Sequence, residues 1–285
     1  MSAQEEVRSP LRAQNVTQMR KNPSLRKEDE ELPEKKIRIE EFDDIFRKHF
    51  KKNTELVHIE PRPESEGKKI DASKKATIYV DEAHKNRGFV VTGMVDANLR
   101  CLTDHGFRQL MISRPEERGE LKIAGKVIPV PRYQKAYLKD YHFTGMNHHA
   151  EPAVIPEVQE LLDFANRQRH LWFEEGEAKE ELPKFNSALI NWYLGSDQYI
   201  GFHSDQTTHL EPGSPIFCAS FGAPRTFILS DKFKFTRKFL EMETRHGSYV
   251  VMCGDTQDHF AHSVPKSRVP VGPRISVTFR MMREI

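Results

Sequence analysis

The spacing of apolar residues separates a polar N-terminal part of the chain from a patterned remainder. Residues 1–35 contain many Glu, Lys, Arg and Ser residues and no aromatic residue. Such a segment buries too little apolar surface to offset the entropy of ordering. We therefore predict that residues 1–75 form a largely disordered charged tail, with a linker at 60–75. The folded domain is expected to span residues 76–285.

One apolar pattern interrupts this tail. In residues 36–52, the side chains of Phe42, Ile45, Phe46 and Phe50 fall on one face of a helix. The pattern predicts a short helix, which either packs on the core of the domain or docks on an unidentified protein partner.

The next part of the chain predicts both helices and strands. Asp96 is a candidate N-cap for a helix that ends near His105, and the stretch from Phe107 to Ile112 predicts a strand. Residues 156–173 predict an amphipathic helix, because apolar residues recur there at helical spacing and Pro156 suits the first turn.

The C-terminal third changes to short apolar runs divided by Gly, Pro, Asp and Ser. Strands are predicted at about 187–194, 199–203, 215–221, 225–229, 248–253 and 274–281. Short strands at this spacing are typical of an antiparallel sandwich or jelly roll. Because the upstream helices can support one of its sheets, the expected fold class is α+β.

Composition narrows the class of protein. The chain is 37% apolar and 30% charged, as in a soluble domain with a polar appendage. Its three cysteines show no CxxC spacing, so we expect no disulfide framework and an intracellular protein of the nucleus or cytoplasm. No apolar run is long enough to cross a membrane, and the N-terminus lacks the apolar core of a secretory signal. The net charge of +2 arises in residues 1–75, so charge alone gives no case for nucleic-acid binding by the domain.

Two histidines and an aspartate are candidate metal ligands. His203 and Asp205 are two residues apart, so on a strand they point to the same face, while His262 must come from another strand. Two imidazoles and one carboxylate can hold Fe(II) and leave positions open for oxygen chemistry. The His-x-Asp triplet alone is a weak signal, because a surface or core pair with no metal has the same sequence.

The last predicted strand adds a second signal. Arg274, Ser276, Thr278 and Arg280 alternate with apolar residues, so one face is polar and carries two guanidinium groups. A buried arginine needs an anion, and a carboxylate that accepts two hydrogen bonds is a suitable partner. The alternative is a strand whose polar face lies in water.

Polar and aromatic residues upstream can complete such a site. Asn191 and Tyr193 are again two residues apart, and their amide and phenol groups can donate hydrogen bonds to an oxygen-rich cosubstrate. Arg132, Tyr133 and Tyr137 lie in the stretch PRYQKAYLKDYHFTG and can stack on or clamp a nucleotide. The alternative is that Tyr137 and Tyr141 are core aromatics on a hairpin.

The motifs, in their order, resemble the AlkB-type Fe(II)/2-oxoglutarate dioxygenases, which oxidatively dealkylate nucleic acids. The resemblance runs from about Phe89 to Met281 and rests on the stretches PRYQKAY, YHFTG, NWY, HSD, ASFGAPRTF, HGSYVVM, QDHFAHSVPK and RISVTFR. It implies a double-stranded β-helix (jelly-roll) core with supporting N-terminal helices and a nucleotide-recognition lid.

The resemblance also implies an activity and a set of site residues. The activity is oxidative demethylation of N-alkylated bases, with release of formaldehyde, succinate and CO2. We expect the protein to be a monomer. Fe(II) would be held at the catalytic centre by His203, Asp205 and His262. With O2 as the second cosubstrate, 2-oxoglutarate would bind Asn191, Tyr193, Arg274, Ser276 and Arg280. An unpaired or flipped base of DNA or RNA would contact Arg132, Tyr133, Tyr137 and Gln206.

Two positions depart from the family pattern. Gln206, Thr207 and Thr208 follow Asp205, where several nucleic-acid-active members carry an acidic residue, so the preferred lesion is open. Ser276 stands where some members carry an amide. Two other functions therefore stay in view: a 2-oxoglutarate oxygenase acting on a protein or small molecule, and a nucleic-acid-binding module with a degenerate site.

Overall fold

Two β-sheets dominate the computed structural model of the protein, which describes residues 68–80, 87–123, 126–143, 146–173 and 182–284. All of these residues belong to the unit Ile39–Ile285. The helix predicted at 36–52, and the rest of the predicted tail up to residue 67, lie outside the described residues.

The described chain contains sixteen strands and three α-helices. The strands are β1 (Lys68–Asp71), β2 (Ala76–Tyr79), β3 (Phe89–Met94), β4 (Glu120–Ile123), β5 (Lys126–Pro129), β6 (Tyr133–Tyr137), β7 (Tyr141–Phe143), β8 (Met146–His148), β9 (Ser187–Tyr193), β10 (Ile200–His203), β11 (Ile216–Gly222), β12 (Arg225–Asp231), β13 (Lys238–Thr244), β14 (Ser248–Cys253), β15 (Phe260–Val264) and β16 (Arg274–Arg280). The helices are α1 (Asp104–Ile112), α2 (Pro156–Gln168) and α3 (Thr256–His259). Short 3-10 turns lie at Arg100–Leu102 and Arg169–Leu171.

The strands form a larger and a smaller sheet, with two separate hairpins. The larger sheet has the order β2-β3-β14-β11-β16-β9-β6, and all its neighbouring strands are antiparallel. The smaller sheet has the order β1-β13-β12-β15-β10, with β1 parallel to β13. β4 pairs with β5, and β7 pairs with β8. Two mainly antiparallel sheets are the predicted jelly-roll arrangement.

An apolar cluster joins the two sheets. Val90 and Met252 of the larger sheet pack in it with Phe227, Leu240 and Phe260 of the smaller sheet. These side chains come from alternate positions along their strands, so the opposite strand faces are free for other contacts.

A second cluster covers the outer face of the larger sheet. It combines Leu110 of α1 and Leu161 of α2 with Trp172 and with Phe217 of β11. Trp192 of β9 also donates a hydrogen bond from its indole to the Leu110 carbonyl at 2.7 Å. The helices therefore support one sheet, as the α+β prediction requires.

The structure corrects the elements predicted just before residue 113. The predicted strand at 107–112 is part of helix α1. The helix predicted from Asp96 to about His105 is not formed as such: the segment contains only a three-residue 3-10 turn at Arg100–Leu102 and the start of α1 at Asp104. The hydroxyl of Thr103 accepts a hydrogen bond from the Gly106 amide at 3.0 Å, which caps α1. Phe107 and Leu110 are then buried at i and i+3, so this apolar run has helical spacing.

The linker prediction is also wrong in part. Lys68–Asp71 is strand β1, in parallel register with β13, where Lys68 lies opposite Leu240. The folded part of the chain therefore extends upstream of Ala76 at least to Lys68.

Helix α2 agrees with its prediction. It begins at Pro156 and buries Val158, Leu161, Leu162 and Ala165 of the predicted apolar face, although it ends at Gln168. Neither α2 nor any other helix of the described residues has the length and apolar character needed to span a membrane.

Candidate active site

A His–Asp–His cluster lies where β10 and β15 pair. His203 ends β10 and is in register with His262 of β15. Asp205 follows two residues after His203, and its Oδ1 is 3.7 Å from His203 Nε2 and 4.0 Å from His262 Nε2. The three candidate ligand atoms all lie within 4.8 Å of one another. The structure thus brings together the three residues that the sequence predicted to converge from separate strands.

Both imidazoles of the cluster are in the form that can bind a metal. Nδ1 of His203 donates a hydrogen bond to the Gly201 carbonyl at 2.9 Å, so the Nε2 lone pair is free. Burial lowers the pKa of His203. Burial, and then the neighbouring His203, lower the pKa of His262 to about 3. The His262 ring also stacks on Phe227, with ring centroids 5.4 Å apart.

Arg280 determines the state of Asp205. Its Nε and Nη2 donate hydrogen bonds to Asp205 Oδ2 at 3.1 and 2.7 Å, and both residues are buried. Burial would raise the pKa of Asp205, but Arg280 and the two histidines outweigh burial and hold that pKa well below its usual range. The predicted place of Arg280 was the cosubstrate pocket. Its side chain does line the same cavity, but its observed partner is the aspartate.

The backbone of Asp205 is held by Gln257, which the sequence did not reveal. The Asp205 amide donates a hydrogen bond to Gln257 Oε1 at 2.8 Å, and Gln257 Nε2 lies 3.3 Å from the sulfur of Met252. The adjacent Ser204 hydroxyl donates to the Phe260 carbonyl at 2.8 Å. Gln257 belongs to the short helix α3, so only the tertiary structure shows that it faces Asp205.

One cavity of about 940 Å³ joins the cluster to β16. Its walls include His203, Asp205 and His262 together with the polar face of β16, which consists of Arg274, Ser276, Thr278 and Arg280. The alternate residues of β16, Ile275, Val277 and Phe279, pack in the apolar core. The predicted alternation is confirmed, and the alternative of a polar face in water is wrong, because the whole strand is buried.

Arg274 is only partly satisfied within this cavity. It is 1% exposed, and its Nη2 donates to the Ser220 hydroxyl at 2.9 Å. Among the described residues, its Nε and Nη1 have no hydrogen-bond partner. The ring of Tyr193 lies against the guanidinium, with its centroid 5.1 Å from the central carbon. Two unused donors on a buried cation favour the binding of an anion.

Asn191 is oriented by two neighbours. Its Oδ1 accepts hydrogen bonds from Arg132 Nε at 3.0 Å and from Gln134 Nε2 at 2.9 Å. Neither of these contacts uses the Nδ2 donor of Asn191. Gln134 also lines the cavity, and its buried Oε1 has no hydrogen-bond partner in the described part of the chain. Gln134 was missed, because its place beside Asn191 follows from the register of β6 with β9, which the sequence alone does not give.

The predicted substrate residues divide into two groups. Tyr133 and Tyr137 are buried in the core under the helices and do not line the cavity, so their predicted role as a nucleotide clamp is wrong. They alternate along β6 with residues of the opposite face. Gln206 is exposed and borders the cavity. Tyr141, from the same stretch PRYQKAYLKDYHFTG, lines the cavity. Its ring centroid lies 4.5 Å from the central guanidinium carbon of Arg280.

Arg225 ties together two loops near the cavity. Its guanidinium donates to the carbonyl of Gly195 at 3.3 Å, to that of Gln198 at 2.7 Å and to that of Pro265 at 2.6 Å. Gly195 and Gln198 lie between β9 and β10, whereas Pro265 follows β15. Burial, and then Arg274, lower the pKa of Arg225 to about 10. This arginine is therefore a link between loops, held by backbone carbonyls.

The donor set fits a metal ion and an anionic cosubstrate. Metal–ligand bonds to imidazole nitrogen and carboxylate oxygen are about 2.0–2.2 Å, so atoms 3.7 and 4.0 Å apart can contact one ion. Two imidazoles and one carboxylate are the facial set associated with non-haem Fe(II). The unused donors of Arg274 fit a carboxylate in the same cavity. A jelly roll with these two features defines the class of Fe(II)-dependent oxygenases that use an anionic cosubstrate.

Comparison with known proteins identifies the family. The family model described as the 2OG-Fe(II) oxygenase superfamily matches residues 100–280. That match covers more than half of the chain, so the chain belongs to the 2OG-Fe(II) oxygenase superfamily.

Individual relatives narrow the resemblance. The DNA oxidative demethylase ALKBH2 of Homo sapiens is 31% identical over 169 residues, which cover 56% of this chain and 60% of that protein. The protein of the same name from Arabidopsis thaliana is 34% identical over 120 residues, covering 35% of this chain and 38% of its own. The Alpha-ketoglutarate-dependent dioxygenase alkB homolog 3 of Mus musculus is 33% identical over 104 residues, covering 34% and 36%. The matches span less than two thirds of these relatives, and they confirm the predicted AlkB-type resemblance.

Proposed function

We propose that this protein is an Fe(II)/2-oxoglutarate-dependent dioxygenase that oxidatively demethylates N-alkylated bases in DNA or RNA. The observation that carries the proposal is one cavity of about 940 Å³ that contains both the His–Asp–His cluster and the unsatisfied guanidinium of Arg274. The relatives named as DNA oxidative demethylases support the choice of a nucleic-acid base as the substrate.

The protein's own residues have separable roles in this proposal. His203, Asp205 and His262 hold the metal, and Arg280 keeps Asp205 ionised with Oδ1 turned toward the imidazoles. Arg274 binds the distal carboxylate of 2-oxoglutarate through the donors that have no other partner.

Smaller polar groups orient the cosubstrate. Asn191 is fixed by Arg132 and Gln134, so its Nδ2 donor is presented at a defined position. Tyr193 and Ser276 line the same cavity and offer hydroxyl groups for the remaining oxygens of the cosubstrate.

Iron, 2-oxoglutarate and O2 together supply the oxidising chemistry when bound. In the proposed overall reaction, one oxygen atom enters the N-methyl group, and the other is found in succinate after loss of CO2. The resulting N-hydroxymethyl group loses formaldehyde and leaves the unmodified base. The buried walls of the cavity orient the methyl group and limit the access of water.

The substrate is tested by a panel of methylated oligonucleotides. Anaerobically iron-loaded protein is mixed with methylated adenine or methylated cytosine in single- and double-stranded DNA and RNA, and 2-oxoglutarate and O2 are then supplied. We expect mass loss of one methylene unit in at least one substrate, with an equal amount of formaldehyde. Turnover of 2-oxoglutarate without demethylation of any oligonucleotide would contradict the assigned substrate and favour a protein or small molecule.

The metal ligands are tested separately. We expect His203→Ala and Asp205→Ala to abolish 2-oxoglutarate turnover, since each removes one of three ligands. His170→Ala is the matched control, because His170 is exposed and lies outside the cluster, and it should retain full turnover. Full activity in iron-loaded His203→Ala protein would exclude the ligand assignment.

A further inference from the structure

The hairpin between β12 and β13 exposes an aromatic residue in a basic segment. Residues 231–238 have the sequence DKFKFTRK, which contains four cationic residues and one acidic residue. Phe233 is 88% exposed, the highest value among the large apolar side chains of the described residues. Phe235 is also exposed, at 47%. We refer to residues 231–238 as the basic hairpin tip.

The exposure of Phe233 is built into an ordered turn. Asp231 Oδ1 accepts hydrogen bonds from the amides of Phe233 at 2.8 Å and Lys234 at 2.9 Å. The Asp231 amide donates to the Arg237 carbonyl at 2.9 Å, and the Arg237 amide donates to the Lys234 carbonyl at 2.8 Å. An aspartate that binds the amides of the next residues stabilises a turn. These hydrogen bonds order the backbone of the turn, from which the Phe233 ring projects into solvent.

The basic hairpin tip is attached to the strand and the loop that carry the metal ligands. The Phe235 ring stacks on Phe202, the residue before His203, with centroids 5.1 Å apart and planes 10° apart. Lys232 donates from Nζ to the Gln257 carbonyl at 3.0 Å. Gln257 in turn holds the amide of Asp205.

The basic hairpin tip also borders an opening next to the metal cluster. A second cavity of about 420 Å³ is lined by Lys232 and Phe235 as well as by His203 and Asp205. Asp258 lines it too, so the opening itself is not uniformly basic. A molecule that reaches the cluster through this opening passes the basic hairpin tip.

Only one of the four cations of the basic hairpin tip forms an ion pair with a neighbouring acid in the described part of the chain. The Asp231 carboxylate is occupied by two backbone amides, and Lys238 is paired with Glu241 at 2.6 Å. Among the described residues, Lys234 and Arg237 form no ion pair within 4 Å. The guanidinium of Arg237 lies over the ring of Phe239. An exposed aromatic ring between cations is how proteins bind single-stranded nucleic acid, by base stacking and phosphate contact.

We propose that the basic hairpin tip binds a single-stranded nucleic acid, with Phe233 stacked on an unpaired base that flanks the base in the cavity. Lys234 and Arg237 then contact the phosphates of the same strand. This inference rests on the proposed function, because it takes the strand to be the substrate of that site. It assigns strand binding to a surface outside the cavity and beyond the metal and cosubstrate residues.

The test measures binding of unmodified strands to metal-free protein, so it does not depend on catalysis. Fluorescence anisotropy is recorded with short labelled single-stranded DNA, single-stranded RNA and duplex DNA. We expect Phe233→Ala to weaken single-strand binding by about tenfold, since stacking is lost. Phe233→Leu should lose a similar amount and Phe233→Tyr should retain affinity, because a base stacks on a ring rather than on an aliphatic chain.

Two further variants separate the parts of the proposal. Lys234→Gln should lower the slope of log affinity against log salt concentration by about 0.7, as expected for one lost phosphate contact. Ile112→Ala is the matched control, because Ile112 is 61% exposed at the end of α1, and its affinity should be unchanged.

The outcomes distinguish this proposal from the proposed function. Equal single-strand affinity of Phe233→Ala and wild-type protein, or no binding by the wild type, would overturn the role of the basic hairpin tip. Stronger binding of duplex than of single strands by the wild type would also contradict it. If Phe233→Ala binds weakly while the wild type demethylates no oligonucleotide, the basic hairpin tip stands and the proposed reaction fails.

Discussion

The two arginines of β16 lie on the same face of one strand but have opposite surroundings. Arg280 is buried in an ion pair, since two of its nitrogens donate hydrogen bonds to Asp205 Oδ2. Arg274 is equally buried, yet two of its three nitrogens have no partner among the described residues. Only five residues of the same alternating strand therefore separate an arginine whose donors are paired within the fold from one with two unpaired nitrogens.

We infer a separate role for each arginine from this difference. A buried ion pair is costly to break, because the remaining charge loses its partner, so Arg280 is a support for the metal ligand. A buried guanidinium with two unpaired nitrogens contributes less to folding than a buried ion pair does, and it can bind an anion. The partners of the two guanidinium groups thus favour a positioning role for Arg280 and an anion-binding role for Arg274.

The largest expected effect follows from removing the satisfied arginine. Arg280→Ala should destabilise the metal-free protein by about 3–5 kcal/mol, since Asp205 is left buried without its partner. Urea unfolding followed by circular dichroism measures this change. Arg283→Ala, at an exposed position three residues away, should stay within about 0.5 kcal/mol of wild type. A loss below about 1 kcal/mol in Arg280→Ala would contradict the importance of the pair.

Replacing Arg274 should have the opposite effect: a large loss of 2-oxoglutarate affinity and a small loss of stability. Arg274→Ala should weaken 2-oxoglutarate binding by about 100-fold, because the carboxylate loses its charged partner. Its free energy of unfolding should fall by only about 1 kcal/mol, because two of the three guanidinium nitrogens had no partner and only the hydrogen bond to Ser220 is lost. Calorimetric titration of Mn(II)-loaded protein measures the affinity. Arg274→Lys, which keeps the charge but not the planar fork, should fall between the two proteins, and unchanged affinity in Arg274→Ala would remove it from the binding role.

A double-mutant cycle sharpens the contrast at the satisfied arginine. Adding Asp205→Asn to Arg280→Met should recover about 1–3 kcal/mol of the stability lost in Arg280→Met alone, because no buried charge remains unpaired. The melting temperature of the same double variant should not rise when Mn(II) is added, because one of the three candidate metal ligands has been removed. Strictly additive stability changes would show that the two side chains do not act as a pair.

The smallest expected effect concerns the residue behind Asn191. Gln134→Ala removes one of two hydrogen bonds to Asn191 Oδ1, while Arg132 still holds it. We expect 2-oxoglutarate affinity to fall by about threefold, measured by the same titration. Lys135→Ala serves as the control, because its side chain pairs with Glu151 at 3.0 Å instead. Equal affinities of the two variants would indicate that Arg132 alone orients Asn191.

Regular periodicity made part of this site predictable. The alternation of β16 identified its polar face, and the two-residue spacing of His203 and Asp205 made their convergence with His262 possible. These inferences need only the direction of side chains along a strand. They do not need the neighbour across the cavity, which is why the face was predicted and the partner of Arg280 was not.

The errors arise where the pattern has two readings. Along β6, period 2 separates Tyr133 and Tyr137 from Gln134, but it does not tell which face meets the helices. The tyrosines were predicted to contact the substrate because their rings can stack on a base. In the structure, the same rings are packed in the core under the helices. The apolar residues within 107–112 were compatible with either a strand or a helix. The segment is a helix in the structure, and the Thr103 hydroxyl caps its N-terminus.

Arg225 has a consequence for the motion of the chain around the cavity. Because one guanidinium binds carbonyls of Gly195, Gln198 and Pro265, the loop before β10 and the segment after β15 cannot separate without breaking the same side-chain contacts. Their amides should therefore exchange hydrogen with solvent in a shared opening event rather than independently. The frequency with which this side of the site opens would then be governed by a residue whose hydrogen bonds go to backbone carbonyls rather than to the candidate metal ligands.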